Sequence, residues 1–192
     1  MSQRYVSRIS YYATNLRASL HMRLAVVNFV SGLFPDFFSG VIRTRLYRKI
    51  GFAIGTDSFI MGNVLVSGSM GNMYNQLSLG RRCCVSNHVT VNLDAPLIVG
   101  DDVTIGPYVR IYTGTHALGP GSRRCLPAVV GKPVQIGDGC WLGIGVTVLP
   151  GTKLGRGCVV AAGAVVSGEI PANSYVEGIP ARVVRELPWG DR

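Results

Sequence analysis

Residues 99–116 have the sequence VGDDVTIGPYVRIYTGTH, in which an aliphatic residue recurs at every sixth position. The same period resumes at Ile136 after an interruption and continues to Val166. The aliphatic positions are Val99, Ile105, Ile111, Ile136, Leu142, Val148, Leu154, Val160 and Val166. A six-residue period fits neither a helix of 3.6 residues per turn nor an uninterrupted two-residue strand alternation. It predicts an all-β solenoid of short strands joined by turns.

A second set of positions repeats with the same period, four residues after each aliphatic. Its members are small or β-branched: Val103, Val109, Thr115, Cys140, Val146, Thr152, Cys158 and Ala164. We expect both sets to point inward, so that each coil buries the face of the next. Three six-residue strands would make a triangular coil of 18 residues, with residues 99–116 as one coil and residues 136–153 as another.

Residues 117–135 separate these two coils and do not keep the period. They contain three prolines and the run GPGSRRCLPAVVGKP, which is the composition of a loop. We therefore expect a loop extruded from the solenoid, and ordered loops of this length are usually functional. His116 comes directly before this loop, at the end of a coil.

Three stretches carry a resemblance to a known family: VTIGPYVRIYTGTHALGP (103–120), GKPVQIGDGCWLGIGVTVLPGTKLG (131–155) and VVAAGAVVSGEIPANSYVEGIPARVV (159–184). They resemble the hexapeptide-repeat acyltransferases, in particular the maltose and galactoside O-acetyltransferases and their relatives from polysaccharide synthesis. The resemblance covers residues 79–185. It implies a left-handed parallel β-helix, a homotrimer with active sites at the subunit interfaces, and acetyl-CoA as acyl donor without a metal.

His116 is the candidate catalytic residue. An imidazole has an ordinary pKa of about 6.5, so it can take a proton from a hydroxyl near neutral pH and return it. A single histidine is more often structural, but the YTGTH motif and the adjoining loop favour a general base.

Two further polar residues are candidates on the acceptor side. The run SNHVTVNLDAP (86–96) resembles the polar segment of the sugar acetyltransferases, with Val89 in place of one asparagine. The resemblance implies a catalytic hydrogen-bond donor at Asn87 and a substrate-binding carboxylate at Asp94, which could also orient the imidazole. Asp94 has an equal alternative as a turn residue.

The donor side follows from the resemblance as well. It implies contacts of acetyl-CoA with Trp141, Gly143, Ile144, Ala161 and Ala162, and with Arg182 of the IPAR motif for its phosphate or adenine. A backbone N–H near Gly143 or Ile144 is the candidate oxyanion donor. Gly168 stands where the family frequently has a lysine, so one expected phosphate contact is missing.

The net charge of +9 is concentrated in residues 1–50, which hold eight Lys or Arg and one acid and therefore carry +7. Helical spacing in residues 16–30 and 37–50 predicts two helices. They could cap the end of the solenoid or, as a second hypothesis, lie on an anionic membrane. The membrane hypothesis uses Phe29, Phe34, Phe37, Phe38, Val41 and Ile42 as apolar anchors beside Arg43, Arg45, Arg48 and Lys49.

We expect three segments: a basic helical arm over residues 1–50, a catalytic β-helix over residues 51–185 with the loop 117–135, and a tail over residues 186–192. The apolar run 24–34 is too short to cross a bilayer, and no convincing cleavage site follows it. A cytoplasmic protein is therefore expected, with the inner face of the membrane as the alternative location.

The predicted function is that of an acetyl-CoA-dependent O-acetyltransferase acting on a sugar or polysaccharide precursor. Alternatives are N-acetylation of an amino-sugar nucleotide, serine-type O-acetylation, and a non-catalytic hexapeptide scaffold. A zinc carbonic anhydrase on the same fold needs three histidine ligands, a pattern that His88 and His116 do not make. Five cysteines without a CxxC pair indicate neither disulfides nor zinc, and no motif indicates nucleic-acid binding.

Overall fold

The computed structural model describes residues 21–36, 39–68, 73–188 and 190. They form two helices, α1 (Met22–Gly32) and α2 (Gly40–Lys49), a short 3-10 turn (Met73–Asn75), and strands β1 to β20. The strands are β1 (Ala53–Ile54), β2 (Phe59–Ile60), β3 (Leu65–Ser67), β4 (Leu77–Leu79), β5 (Cys84–Val85), β6 (Thr90–Asn92), β7 (Leu97–Val99), β8 (Thr104–Ile105), β9 (Arg110–Tyr112), β10 (Gly114–Leu118), β11 (Cys125–Gly131), β12 (Val134–Ile136), β13 (Trp141–Leu142), β14 (Thr147–Val148), β15 (Lys153–Leu154), β16 (Val159–Val160), β17 (Val165–Val166), β18 (Glu169–Ile170), β19 (Ser174–Gly178) and β20 (Ala181–Glu186).

Apart from the hairpin β10–β11 and the antiparallel edge strand β20, the strands form three parallel sheets, which are the faces of a solenoid. Face A has the order β1-β4-β7-β12-β15-β18, face B the order β2-β5-β8-β13-β16-β19-β20, and face C the order β3-β6-β9-β14-β17. Neighbours in a face come from successive coils: Trp141 pairs with Val159, 18 residues later. The predicted parallel solenoid is confirmed. The turns between faces, in chain order, are called the AB, BC and CA corners.

The core is the predicted ladder of aliphatic side chains. All nine aliphatic positions of the repeat are at most 3% exposed. Seven of the eight positions in the second set are also buried. Thr115 is the exception, and its predicted inward position is wrong, because the chain leaves the coil after Thr113. Thr113 is the buried residue instead, and its hydroxyl donates to the Asn92 carbonyl at 2.8 Å.

The predicted loop over residues 117–135 is a β-hairpin with different boundaries. Strands β10 and β11 pair antiparallel from Gly114–Gly131 to Leu118–Cys125. The extruded segment therefore starts before His116, which lies on the hairpin opposite Val129. It ends before β12, so Gln135 belongs to the next coil, where it pairs with Ile98 and Lys153.

Helices α1 and α2 lie against the first coil, as a cap would. Leu24 and Val27 of α1 and Tyr47 of α2 join the same buried cluster as Phe52 and Ile60. The predicted positions 16–20 and 37–38 lie outside the described residues. No described helix combines the length and the apolar character that crossing a membrane requires.

The position of Arg43 differs from the prediction that it lies on the basic surface of the arm. Its side chain is fully buried and donates to the carbonyls of Phe34 and Met61 at 2.6 Å and to Ser31 Oγ at 3.0 Å. Asp36 lies 3.5 Å from the same guanidinium. The carbonyls at the end of α1 lack helical partners, and the planar guanidinium supplies donors to them. Arg43 is therefore unavailable to a membrane surface.

At the far end, β20 folds back antiparallel on β19 and covers the last coil. Glu186, placed in the tail by the sequence, is the last residue of β20 and pairs with Ser174. Positions 189, 191 and 192 lie outside the described residues.

Candidate active site

A groove runs along the BC corner and has a volume of about 430 Å³. Five residues predicted to contact the acyl donor line it: Trp141, Gly143, Ile144, Ala161 and Ala162. They come from two successive coils, which are spaced by 18 residues at this corner. Trp141 is 56% exposed and presents its ring to this surface.

The groove depends on small residues at the turn. A Cβ on Gly143 would lie 2.8 Å from Ala162 N and 2.9 Å from the Val160 oxygen, closer than packed atoms approach. Gly145 and Gly163 occupy the next positions at φ angles of 70° and 72°, where glycine is favoured. The two preceding coils carry His88 and Tyr108 at the same corner position, with φ angles of 57° and 59°. The corner thus changes from bulky residues to glycine along the solenoid axis.

Backbone hydrogen bonds decide between the two candidate oxyanion donors. The Gly143 N–H donates to the Val160 carbonyl at 2.8 Å, so it is occupied by the parallel ladder. The Gly143 N–H is therefore not free to donate to an oxyanion. Among the hydrogen bonds of the described residues, the N–H groups of Ile144 and Ala162 have no acceptor. Ile144 stays the candidate.

Arg182 lies outside the groove. It is on β20 opposite Glu177 of β19, and its Nη1 donates to its neighbour's carbonyl, Ala181 O, at 2.9 Å. The groove lining ends at Tyr175 on β19. The predicted phosphate or adenine contact is therefore not among the groove residues.

His116 is at the CA corner, exposed on the hairpin. Its Nδ1 is 2.9 Å from the Leu126 carbonyl oxygen on the facing strand β11. A carbonyl oxygen only accepts hydrogen bonds, so Nδ1 carries the proton and Nε2 keeps its lone pair. The orienting role of Leu126 was missed by sequence reasoning, because only the antiparallel return of residues 125–131 brings this carbonyl to the imidazole.

Asp94 lies at the base of the same hairpin. A side chain at Gly114 would collide with its carboxylate, and a Cβ on Gly131 would be 2.8 Å from its carbonyl oxygen. The Asn92 amide donates to Asp94 Oδ2 at 2.9 Å, while Asn92 Oδ1 is buried without a partner among the described residues. The structure thus brings Asp94 to the corner of His116 and adds Asn92, which the sequence did not single out.

Asn87 lies at the BC corner, one coil before Tyr108, whose N–H donates to the Asn87 carbonyl at 3.3 Å. A Cβ on the neighbouring Gly62 would lie 3.0 Å from Asp36 Oδ1, so that carboxylate is close by. Face C separates this corner from the hairpin by roughly 15 Å, the length of a short strand with its turns. The two predicted catalytic residues, Asn87 and His116, are therefore at different corners of one chain.

Comparison with known proteins identifies the family. The bacterial transferase hexapeptide family (six repeats) matches residues 133–168. A galactoside O-acetyltransferase of Lactococcus lactis is 33% identical over 147 residues, which cover 77% of this chain and 69% of that protein. This chain belongs to the hexapeptide-repeat acetyltransferases.

A solved structure agrees with this membership. A hexapeptide-repeat acetyltransferase from Vibrio cholerae, complexed with acetyl coenzyme A, matches this acetyltransferase fold with a TM-score of 0.76 and 28% identity. The match covers 88% of this chain and 87% of that one. An acetyltransferase relative from Schizosaccharomyces pombe is 40% identical over 103 residues. The chain spans about half the length of the fungal relatives it matches.

The buried cysteines of this hexapeptide-repeat chain serve packing. Cys140 and Cys158 donate to the carbonyls of Gly155 and Pro171 at 3.1 and 3.0 Å. The interaction with the neighbouring Cys158 and burial raise the pKa of the Cys140 thiol, and the same interaction lowers the pKa of Cys158 to about 7. Burial raises the pKa of Cys83 and Cys84. The thiols of Cys83, Cys84 and Cys140 therefore stay protonated at neutral pH. In the described part of the chain, no group of three or more metal-binding side chains occurs.

Proposed function

We propose that this protein is an acetyl-CoA-dependent O-acetyltransferase that acetylates a hydroxyl of a sugar or polysaccharide precursor. The observation that supports the proposal is the BC groove, in which five separately predicted donor contacts lie side by side. The similarity to a galactoside O-acetyltransferase supports a sugar acceptor.

The groove fits the narrow, amide-bearing arm of an acyl thioester. Gly143 and Ala162 leave room for such an arm, and Trp141 offers a flat apolar side to it. Acetyl-CoA would supply the acetyl group, activated as a thioester. The Ile144 N–H would donate to the carbonyl oxygen as negative charge develops there, an interaction that typically contributes a hundredfold or more in rate.

His116 supplies the general base. The Leu126 carbonyl holds the proton on Nδ1, so Nε2 faces outward to take the proton of the acceptor hydroxyl. The same nitrogen then returns this proton to the departing sulfur, which restores the neutral imidazole. Asp94 at the base of the hairpin would bind a second hydroxyl of the acceptor, and Asn87 would donate a hydrogen bond from the other corner.

Because the base and the donor groove lie at different corners of one chain, a complete site would need two subunits. We infer a left-handed β-helical homotrimer in which the hairpin of one subunit brings His116 over the BC groove of its neighbour. A cyclic trimer repeats this contact three times, and each interface then holds one complete site. Handedness and trimer come from the family resemblance, while the separation of the corners in one chain gives the reason for sharing.

Other reactions would use the same base and groove with another acceptor. N-acetylation of an amino-sugar nucleotide and serine-type O-acetylation differ only in the nucleophile, whereas a non-catalytic scaffold would need neither groove nor base. Thiol release from acetyl-CoA in the presence of glycosides, amino-sugar nucleotides and serine distinguishes these alternatives.

Mixed trimers test the shared site. His116→Ala removes the base, and Ala162→Trp fills the groove. At acetyl-CoA concentrations well below the wild-type KM, each variant alone should therefore keep at most about a tenth of wild-type thiol release. When both are co-expressed in equal amounts, random assembly pairs an intact His116 with an open groove at about one interface in four. Roughly a quarter of wild-type thiol release should therefore return. Sedimentation of the mixture verifies that trimers form.

Two results would contradict the proposal. Mixed trimers with no more activity than the parent variants would mean that base and groove act within one subunit. The absence of thiol release with every acceptor, from wild-type protein that binds acetyl-CoA, would favour the scaffold.

A further inference from the structure

A second pocket, of about 380 Å³, lies at the N-terminal end of the BC corner, in the coils that precede the donor groove. Its polar rim consists of Asn28 from α1 and Asn63, His88 and Thr90 from the first two coils. Pro107 lines the groove, and the next residue, Tyr108, stacks on His88 with 4.9 Å between ring centroids. The stacked pair therefore lies between the residues that line the two cavities.

The Asn28 side chain is held in place from below. The Tyr47 hydroxyl donates to Asn28 Oδ1 at 2.8 Å, and Tyr47 is only 2% exposed. Burial raises the pKa of Tyr47, so its hydroxyl keeps the proton that it donates. Because Oδ1 is engaged, Nδ2 is the group that Asn28 can offer to a ligand, and it has no partner among the described residues. A buried tyrosine that orients a pocket amide is a form of pre-organisation.

The pocket lacks a cation for a phosphate. Its lining contains no Lys or Arg. Arg43 is engaged with backbone carbonyls and Asp36, and Arg110, the strand partner of Thr90, donates to Thr147 Oγ1 at 3.3 Å on the coil beyond. The neighbouring Arg43–Asp36 ion pair carries no net charge that would attract an anion. Amides and a hydroxyl above an apolar floor of Val64 and Val89 suit a neutral ring with several hydroxyl groups.

We propose that this pocket is the acceptor subsite, that it binds a neutral sugar ring rather than a nucleotide-linked one, and that Asn28 donates to a ring hydroxyl with Tyr47 as its positioning residue. This inference rests on the proposed acetyl transfer. It assigns a specificity-determining contact to the N-terminal arm, where the sequence offered no candidate.

The test compares Asn28→Leu and Tyr47→Phe with a matched control, Asn75→Leu, which makes the same change in the 3-10 turn before β4. Acceptor probes are methyl β-D-galactopyranoside and methyl α-D-glucopyranoside, with UDP-glucosamine as the anionic comparison. Loss of one positioned hydrogen bond should raise the KM of a neutral acceptor about tenfold in both pocket variants. The KM for acetyl-CoA should stay within about twofold of wild type, and Asn75→Leu should change neither.

Tyr47→Phe gives the sharper result, because it keeps the ring in the core and removes only the hydroxyl. An unchanged acceptor KM in this variant and in Asn28→Leu would overturn the inference. Turnover of UDP-glucosamine but of neither glycoside would also overturn it, with the acetyl transfer itself intact. If no probe causes thiol release and acetyl-CoA does not bind, the result contradicts the proposed function, and with it the inference about the subsite.

Discussion

The BC and CA corners belong to the same repeat, but the repeat is uninterrupted at the BC corner and is interrupted by the hairpin at the CA corner. At the BC corner every coil makes its turn in register, and the result is a fixed row of small residues with Gly143 and Ala162 in contact distance. At the CA corner the chain leaves the coil after Thr113 and returns only at Val134. The repeat thus builds a rigid surface for binding, whereas the imidazole is delivered by a departure from the repeat.

The largest effect should come from the CA corner. His116→Ala removes the proposed base and should lower kcat by at least about a hundredfold, the usual contribution of a positioned general base. Thiol release at saturating acetyl-CoA measures it. Binding of acetyl-CoA should persist, because the groove is at the other corner.

His21→Ala is the matched control, since His21 precedes α1 and packs edge-on against Tyr74 at 5.9 Å between ring centroids. It should retain wild-type turnover. A near-normal kcat in His116→Ala would contradict the proposal that the CA corner supplies the general base.

Substitutions that fill the groove at the BC corner should change the KM for acetyl-CoA. Ala162→Trp, or Ala161→Trp, places an indole in the groove, and a stacked coil has little freedom to relieve the overpacking. We expect the KM for acetyl-CoA to rise by about tenfold or more, since such crowding costs about 1–3 kcal/mol. Steady-state kinetics with varied acetyl-CoA measure the change, and unchanged KM in both variants would show that the donor binds elsewhere.

The next prediction concerns the helical arm, which covers the N-terminal end of the solenoid. A chain that begins at Gly51 lacks Leu24, Val27 and Tyr47, so the apolar interior of the first coil becomes exposed. We expect it to lose solubility, as ultracentrifugation will show. The full-length protein should stay in the supernatant with anionic liposomes at low salt. If it sediments with them and is released by salt, the membrane hypothesis holds instead.

The AB corner should give the smallest effect. The backbone N–H and the guanidinium of Arg81 lower the pKa of Asp101 below its ordinary 3.8, and Arg82 lowers that of Asp102. Because the folded-state pKa is the lower one, this stabilisation is complete above pH 4 and is lost as the pH falls through the folded values. Asp102 is exposed and Asp101 is half-buried at the surface, so solvent screens both ion pairs and the change is small. Thermal unfolding at pH 7 and pH 3 should differ less in Asp102→Asn than in wild type.

Sequence reasoning succeeded where the period determines position. The family resemblance indicated Trp141, Ile144 and Ala162 as donor contacts, and the 18-residue spacing of their two coils explains why the structure places them side by side. It failed where one side chain or turn decides. The hairpin start at Gly114 has no period, and the sequence does not show that the Gly143 N–H belongs to the ladder. The sequence indicated Arg43 as a surface base. Its acceptors are backbone carbonyls, which every residue has, so the sequence does not show which of them bind the guanidinium.

The stacked pair of His88 and Tyr108 has a consequence for engineering. Each residue occupies a left-handed backbone position that costs a side-chain-bearing residue about 1–2 kcal/mol, while the next two coils use glycine there. A selection for heat tolerance alone would therefore favour Tyr108→Gly and His88→Gly, and would remove the stacked rings that lie between the donor groove and the second pocket. The presence of two strained ring-bearing residues in this chain is what a trade-off between stability and substrate choice would produce.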